Sequence, residues 1–159
     1  MTERHHDRED VVYAAIIALT DETLLLPNSA VLDVLPMALL EPLDDAESAS
    51  STGLAGWLRR GEQRLPVIQF EGLLGRSLPP PGLRGRLVLL QGLTSPDARL
   101  VLAADAAPRR VTLNRQVLSA DTADAAETVV AQRCRIARQQ VIIPDLAVLE
   151  ERARQFATL

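Results

Sequence analysis

A chain of 159 residues with 47% hydrophobic and 24% charged residues has the makeup of an ordinary folded domain, long enough for one core or for two small subdomains sharing one. Its net charge of −4, its 3% of aromatic residues and the absence of lysine argue against nucleic acid as a partner, and they remove Schiff-base chemistry, a phosphate-loop lysine and a lysine base. Cys134 is the only cysteine, so an intrachain disulfide is impossible, and a reducing compartment is compatible with that.

The first residues, MTERHHDRED, mix charges where a secretory leader would place a basic end and an apolar stretch, so residues 1–9 read as a solvated tail on a cytoplasmic protein. VVYAAIIAL, Val11 to Leu19, is the longest apolar run and is about half the roughly twenty residues a bilayer-spanning helix needs, which predicts no direct membrane insertion. Its Val11, Val12, Ile16 and Ile17 suit a buried strand, while Ala14, Ala15 and Ala18 leave a helix open. Thr20-Asp21-Glu22 breaks the run, and Thr23 to Leu26 returns as the second arm of a hairpin ended by Pro27-Asn28. Ser29 to Leu35, if extended, puts Val31, Asp33 and Leu35 on one side and Leu32 and Val34 on the other.

Met37 to Leu43 reads as a strand interrupted by Pro42, and Asp44 to Thr52 as an acidic, serine-rich surface loop. Leu54 to Leu58 and Arg64 to Phe70 form a hairpin, with Gly61 available for a positive φ in the turn. Pro79-Pro80-Pro81 makes Gly75 to Gly85 a long connection without ladder hydrogen bonds. Arg86 to Leu93 and Ala98 to Ala104 are strands around the turn residues Thr94 to Asp97, and further short strands are expected at Val111–Leu113, Val129–Ile136 and Gln140–Ile143, with Asp121 to Glu127 as a polar connection. From Asp145 the period changes: Leu146, Leu149, Ala153 and Phe156 share one helical face and Asp145 caps the first turn. Short strands at roughly 8–12-residue spacing with one late helix predict barrels or a sandwich rather than a βαβ sheet.

Catalytic groups are scarce. His5 and His6 lie in the predicted tail and have no spaced carboxylate or cysteine partners, so no metal site is expected. Gly82 and Gly85 lack the spacing and the lysine of a phosphate loop. Cys134 sits between Arg133 and Arg135 but has no histidine to pair with and reads as a small strand residue. Asp44-Asp45 and Glu150-Glu151 read as solvated charge runs. Trp57, the sole tryptophan, reads as core or as an interface anchor.

GWLRRGEQRLPVIQFEGLLG resembles the hallmark of CheW-like domains, the coupling proteins of bacterial chemosensory arrays, in which an apolar strand runs into Arg-Gly and then Pro-Val-Ile. Here these are Arg60-Gly61 and Pro66-Val67-Ile68. DETLLLPNSAVLDVLP matches the family's hairpin and following strand, with Val31, Asp33 and Val34 at the valine, acid and isoleucine positions. LVLLQGLTSPDARLVLAADAA resembles its later hairpin, and VIIPDLAVLEE its closing strand and helix. Three departures stand out: Gln69 replaces the usual aspartate, Ala106-Ala107-Pro108 follows Asp105, and Gly56 lies one residue closer to Arg60-Gly61. The chain looks closer to the pilus-type variants than to the flagellar form.

The resemblance covers residues 10–152, leaving 153–159 as the end of the helix. It implies a mostly β fold of two five-stranded SH3-like barrels on a shared core, closed by the C-terminal amphipathic helix, without catalysis or cofactor. It further implies a non-enzymatic adaptor that docks on the regulatory domain of a histidine kinase, receives the helical tip of a chemoreceptor, and is recruited to membrane receptor arrays. The partner-binding residues it implies are Val31, Asp33, Val34, Gly56, Trp57, Arg60 and Gly61, with Arg60 reaching Asp33. The other reading of the residues is a small ligand-binding β-barrel, or an enzyme whose site is assembled from scattered side chains.

Overall fold

The computed structural model describes residues 11–50, 52–94, 99–114, 117–120 and 127–158. The tail with His5 and His6, the turn from Ser95 on and most of Asp121–Glu127 lie outside them. Two six-stranded sheets account for the strands. Sheet A takes the two ends of the chain: β1 (Val11–Ala18), β2 (Thr23–Pro27), β9 (Arg109–Asn114), β10 (Leu118–Ala120), β11 (Val130–Ile136) and β12 (Gln139–Pro144). Sheet B takes the middle: β3 (Val31–Pro36), β4 (Glu41–Pro42), β5 (Leu54–Arg60), β6 (Gln63–Ile68), β7 (Arg86–Gln91) and β8 (Arg99–Ala104). Short helices α1 (Asp45–Ser50) and α2 (Phe70–Leu73) flank β5 and β6, and α3 (Leu146–Ala157) ends the chain.

Both sheets follow one pattern. Sheet A runs β10-β11-β12-β2-β1-β9 and sheet B runs β3-β7-β8-β6-β5-β4, and in each the central pair alone is parallel, β12 with β2 and β6 with β8. One outer strand of each is a stub, three residues for β10 and two for β4, which leaves the five full strands expected.

Connection lengths force each sheet to curl. Asn114 and Leu118 belong to opposite outer strands of sheet A, yet four residue steps span at most about 14 Å, against roughly 24 Å across six flat strands. Pro36 and Glu41 stand in the same relation in sheet B, where five steps span at most about 18 Å. Each sheet therefore closes on itself as a small barrel.

Alternation along the strands then sorts side chains into three cores. Leu25, Ile16, Leu113 and Val141 fill the inside of barrel A, and Leu58, Val67, Leu87 and Val101 fill barrel B. The opposite faces, including Ile17, Leu24, Leu26, Ile68, Val88, Leu90, Leu100 and Leu102, meet in one shared core. Strands buried on both faces read as continuous apolar runs, and this resolves VVYAAIIAL as strand β1. Helix α3 lays Leu149, Ala153 and Phe156 on the shared core, and Asp145 caps it by accepting from the Val148 N–H at 3.2 Å, as expected from the helical spacing.

Three local expectations fail. Met37 to Leu43 is a 3-10 turn at Met37–Leu39 followed by the stub β4, because two prolines bracket the segment and limit its pairing. The acidic loop contains α1, nucleated by a reciprocal capping box: Glu47 N–H donates to Asp44 Oδ1 at 2.8 Å and Asp44 N–H to Glu47 Oε2 at 3.1 Å. The strand after the Arg-Gly turn ends at Ile68, and Phe70 opens α2 instead.

Candidate partner-binding surface

Arg60 and Gly61 end β5, and Gly61-Glu62 forms a two-residue turn that pairs Arg60 with Gln63. Gly61 has φ +61, which an L side chain would resist, so the hairpin takes the tight turn its sequence suggests. The two arginines diverge from there. Arg59 donates through Nε to Glu41 on β4 at 3.2 Å. Arg60 Nη1 lies 3.9 Å from Asp33 Oδ2 on β3, the opposite outer strand of the same sheet, so the pair spans the line along which barrel B closes. Both side chains are nearly half exposed, and a pair of this kind contributes at most about 1 kcal/mol to stability.

A bulge between Val31 and Asp33 inserts Leu32 into β3. It turns Val31 inward, half-buried against the shared core, and leaves Leu32 at 42% and Val34 at 38% exposed. Asp33 is fixed by accepting the Val34 N–H at 2.8 Å. Along the edge of barrel B there is therefore a strip with an acid, an arginine and two exposed aliphatic side chains.

Gly56 and Trp57 do not join that strip. Gly56 is buried, where a Cβ would lie 2.2 Å from the Glu41 carbonyl oxygen, and Trp57 is 2% exposed in the shared core. Both lie beneath the surface in this conformation, where they set the backbone that carries the strip. Trp57, Glu47 and Arg64 hold one another. Trp57 Nε1 donates to Glu47 Oε1 at 3.2 Å, Arg64 donates to the same oxygen at 3.0 Å, and the Arg64 guanidinium lies 4.0 Å from the centre of the indole. The Asp44 N–H, then Trp57 and Arg64, hold the Glu47 carboxyl below its usual range even though desolvation opposes them.

Two buried carboxylates escaped the sequence reading. Glu71, 2% exposed on α2, accepts the Thr20 N–H at 2.9 Å and the Asp21 N–H at 2.7 Å, so a side chain of barrel B caps the β1–β2 turn of barrel A. Arg76 continues the bridge, 2.6 Å from Glu22 and 3.6 Å from Glu71, and its hydrogen bond to Glu22 raises its pKa. Arg133 extends it to Glu127 at 2.6 Å. Glu150, 3% exposed, corrects the reading of Glu150-Glu151 as a solvated run: its oxygens accept the Leu93 N–H, the Thr94 N–H and the Thr94 hydroxyl at 3.1, 3.2 and 2.6 Å. Burial pushes its carboxyl up, but the Thr94 and Leu93 donors outweigh burial and hold it below the usual range. Sequence signals for both are faint. Glu71 directly follows the buried Phe70, and Glu150 sits beside Leu149 on the apolar face of α3.

Both barrel interiors are packed with aliphatic side chains. No helix among the described residues is long and apolar enough to cross a membrane.

No protein-family profile matches the chain. No curated protein matches it by sequence. Among solved structures it is similar to the crystal structure of the scaffolding protein CheW from Thermoanaerobacter tengcongensis, with a TM-score of 0.68 and 14% identity over 87% of this chain and 86% of that one. The likeness extends over most of both chains, and this chain has the CheW-like fold of two barrels.

Proposed function

We propose that the protein is a non-enzymatic scaffold coupling a chemoreceptor to a histidine kinase in bacterial chemosensory signalling, with flagellar or pilus-driven twitching motility as its output. The observation that carries the reading is the likeness, over 87% of the chain, to a CheW scaffolding protein. The strip on barrel B supports it: Arg60 offers a planar set of donors at a surface edge, Asp33 orients it, and Leu32 and Val34 add apolar contact beside it. Such an edge suits the helical tip of a receptor, with Val31 and Gly61 shaping the backbone and Gly56 and Trp57 supporting it from below. The regulatory domain of the kinase is the second partner. The scaffold works in the cytoplasm and is recruited to receptor arrays at the membrane.

Arg60→Glu tests this directly. The variant places a second acid beside Asp33, so it loses recovery of the chemoreceptor in a pulldown from the native cytoplasm while its circular dichroism spectrum stays that of the parent. A folded Arg60→Glu variant that recovers receptor and kinase normally removes the strip from the interface. The motility system of the recovered kinase identifies the output.

A further inference from the structure

The segment Gly75 to Gly85 crosses the outside of the junction between the barrels. Pro79, Pro80 and Pro81 fix their own φ angles, so its middle is a stiff rod. A glycine stands at each end of the rod, just inside the backbone bonds from the Gly75 N–H to the Gly72 carbonyl at 3.1 Å and from the Gly85 N–H to the Gly82 carbonyl at 3.0 Å. Gly75 has φ +85, and a Cβ on either Gly75 or Gly82 would meet nothing within 4 Å. Gly85 is different: a Cβ there would lie 2.4 Å from the Ala104 carbonyl oxygen, so the chain is anchored again at that point.

The rod separates two cavities. One, of about 330 Å³, is bounded by Leu19, Thr20, Phe70 and Ala104; the other, of about 600 Å³, by Leu43, Ser48, Leu54 and Gly72. Gln69, Leu78, Pro80 and Pro81 line both, which makes the rod the wall between them. Two clasps hold the wall. Gln69 Nε2 donates to the Pro79 carbonyl at 3.0 Å, and Arg76 is tied to Glu22 and Glu71. A Gln69 side chain suits this position because its amide can donate, which a carboxylate cannot.

We propose that residues 75–82 form a hinged strap whose closed position is set by the Gln69 amide, and that its release joins the two cavities into one groove running from the barrel junction onto barrel B. The strap turns on glycines at both ends and moves as a unit because its centre is proline. Arg76 stays tied to Glu22 and Glu71 beside the near hinge, and the Gln69 contact is the clasp that holds the middle of the strap. This property belongs to the fold and holds whatever partner the protein serves.

Gln69→Glu keeps the side-chain length and removes the donor. Hydrogen exchange on the full chain reads the result at the Thr20 and Asp105 amides, which are bonded to Glu71 and to the Ala18 carbonyl at the edge of the smaller cavity. Their exchange accelerates about threefold to tenfold, the equivalent of one net hydrogen bond, while the Leu87 to Leu90 amides of β7 keep the parent rates. A second measurement places a thiol beneath the strap with Ala104→Cys. It reacts with iodoacetamide faster in the Gln69→Glu background, and the buried Cys134 serves as the internal control. Unchanged rates at Thr20, Asp105 and the introduced thiol overturn the proposal. So does an acceleration shared equally by β7 and Cys134, which would report general loosening instead.

Discussion

Barrels A and B use the same order of strand pairings but obtain it from the chain in opposite ways. Barrel B is made from one continuous stretch, residues 31–104, whereas barrel A must bring Val11 against Asn114 before β1 has its second neighbour. Distant pairings cost loop-closure entropy before they gain contacts, so barrel B is the part able to form first and barrel A closes around it. The comparison also separates roles. The edge of barrel B carries the exposed Leu32, Asp33, Val34 and Arg60, while the β1–β2 turn of barrel A is tied down by Glu71 and Arg76.

The largest effects should come from the cores. Leu102→Ala, at the shared interface, lowers the unfolding free energy by about 2–5 kcal/mol in a single transition, because both barrels lose contacts together. Leu89→Ala inside barrel B and Leu25→Ala inside barrel A split that equivalence in kinetics: the first slows folding, the second mainly speeds unfolding, as chevron plots will read. Equal folding rates for the two variants would abolish the proposed order.

A smaller effect is expected at Glu150, whose three donors lie on the β7–β8 connection of barrel B. Its folded pKa is depressed, so its stabilisation is fully present above the ordinary glutamate value of 4.5 and is lost as pH falls through the folded value. Glu150→Gln should cost about 1–3 kcal/mol at pH 7, and urea midpoints of parent and variant should converge on acidification. Arg154, also near Glu150, favours the charged form in the same direction.

The smallest effect concerns two hairpin tips. Barrel B turns β5 into β6 on Gly61 with φ +61, but barrel A turns β11 into β12 on Ala137 with φ 55, where the Cβ is strained. Ala137→Gly should raise the thermal midpoint, with a gain of about 0.5–1 kcal/mol after the extra entropy of glycine is counted.

Much of this architecture is legible in the residues. Alternation and turn chemistry locate β1, β2, the β5–β6 hairpin and the start of α3, and the Arg60-Gly61 and Val31–Val34 stretches carry the resemblance that leads to the right fold. The Arg60–Asp33 contact follows from that resemblance and is present across the closure of barrel B. What stayed hidden is tertiary. Whether Val31 or Val34 faces inward depends on a bulge at Leu32, which strict alternation does not contain. Glu71 and Glu150 look like ordinary surface acids because their donors are backbone N–H groups 50 or more residues away. Helix α1 was readable: Asp44 and Glu47 stand at capping-box spacing, but the serine-rich composition around them favours a loop.

The insertion of barrel B has a practical side. The chain leaves β2 at Pro27, opposite Ala14, and comes back as β9 at Arg109, opposite Ile16, so the two crossing points flank a single strand and lie roughly 10 Å apart. A gap that narrow can be closed by a few linker residues or filled by another compact module. Barrel A can in this way be tested as a host for foreign inserts between β2 and β9, with its own strands left in their order.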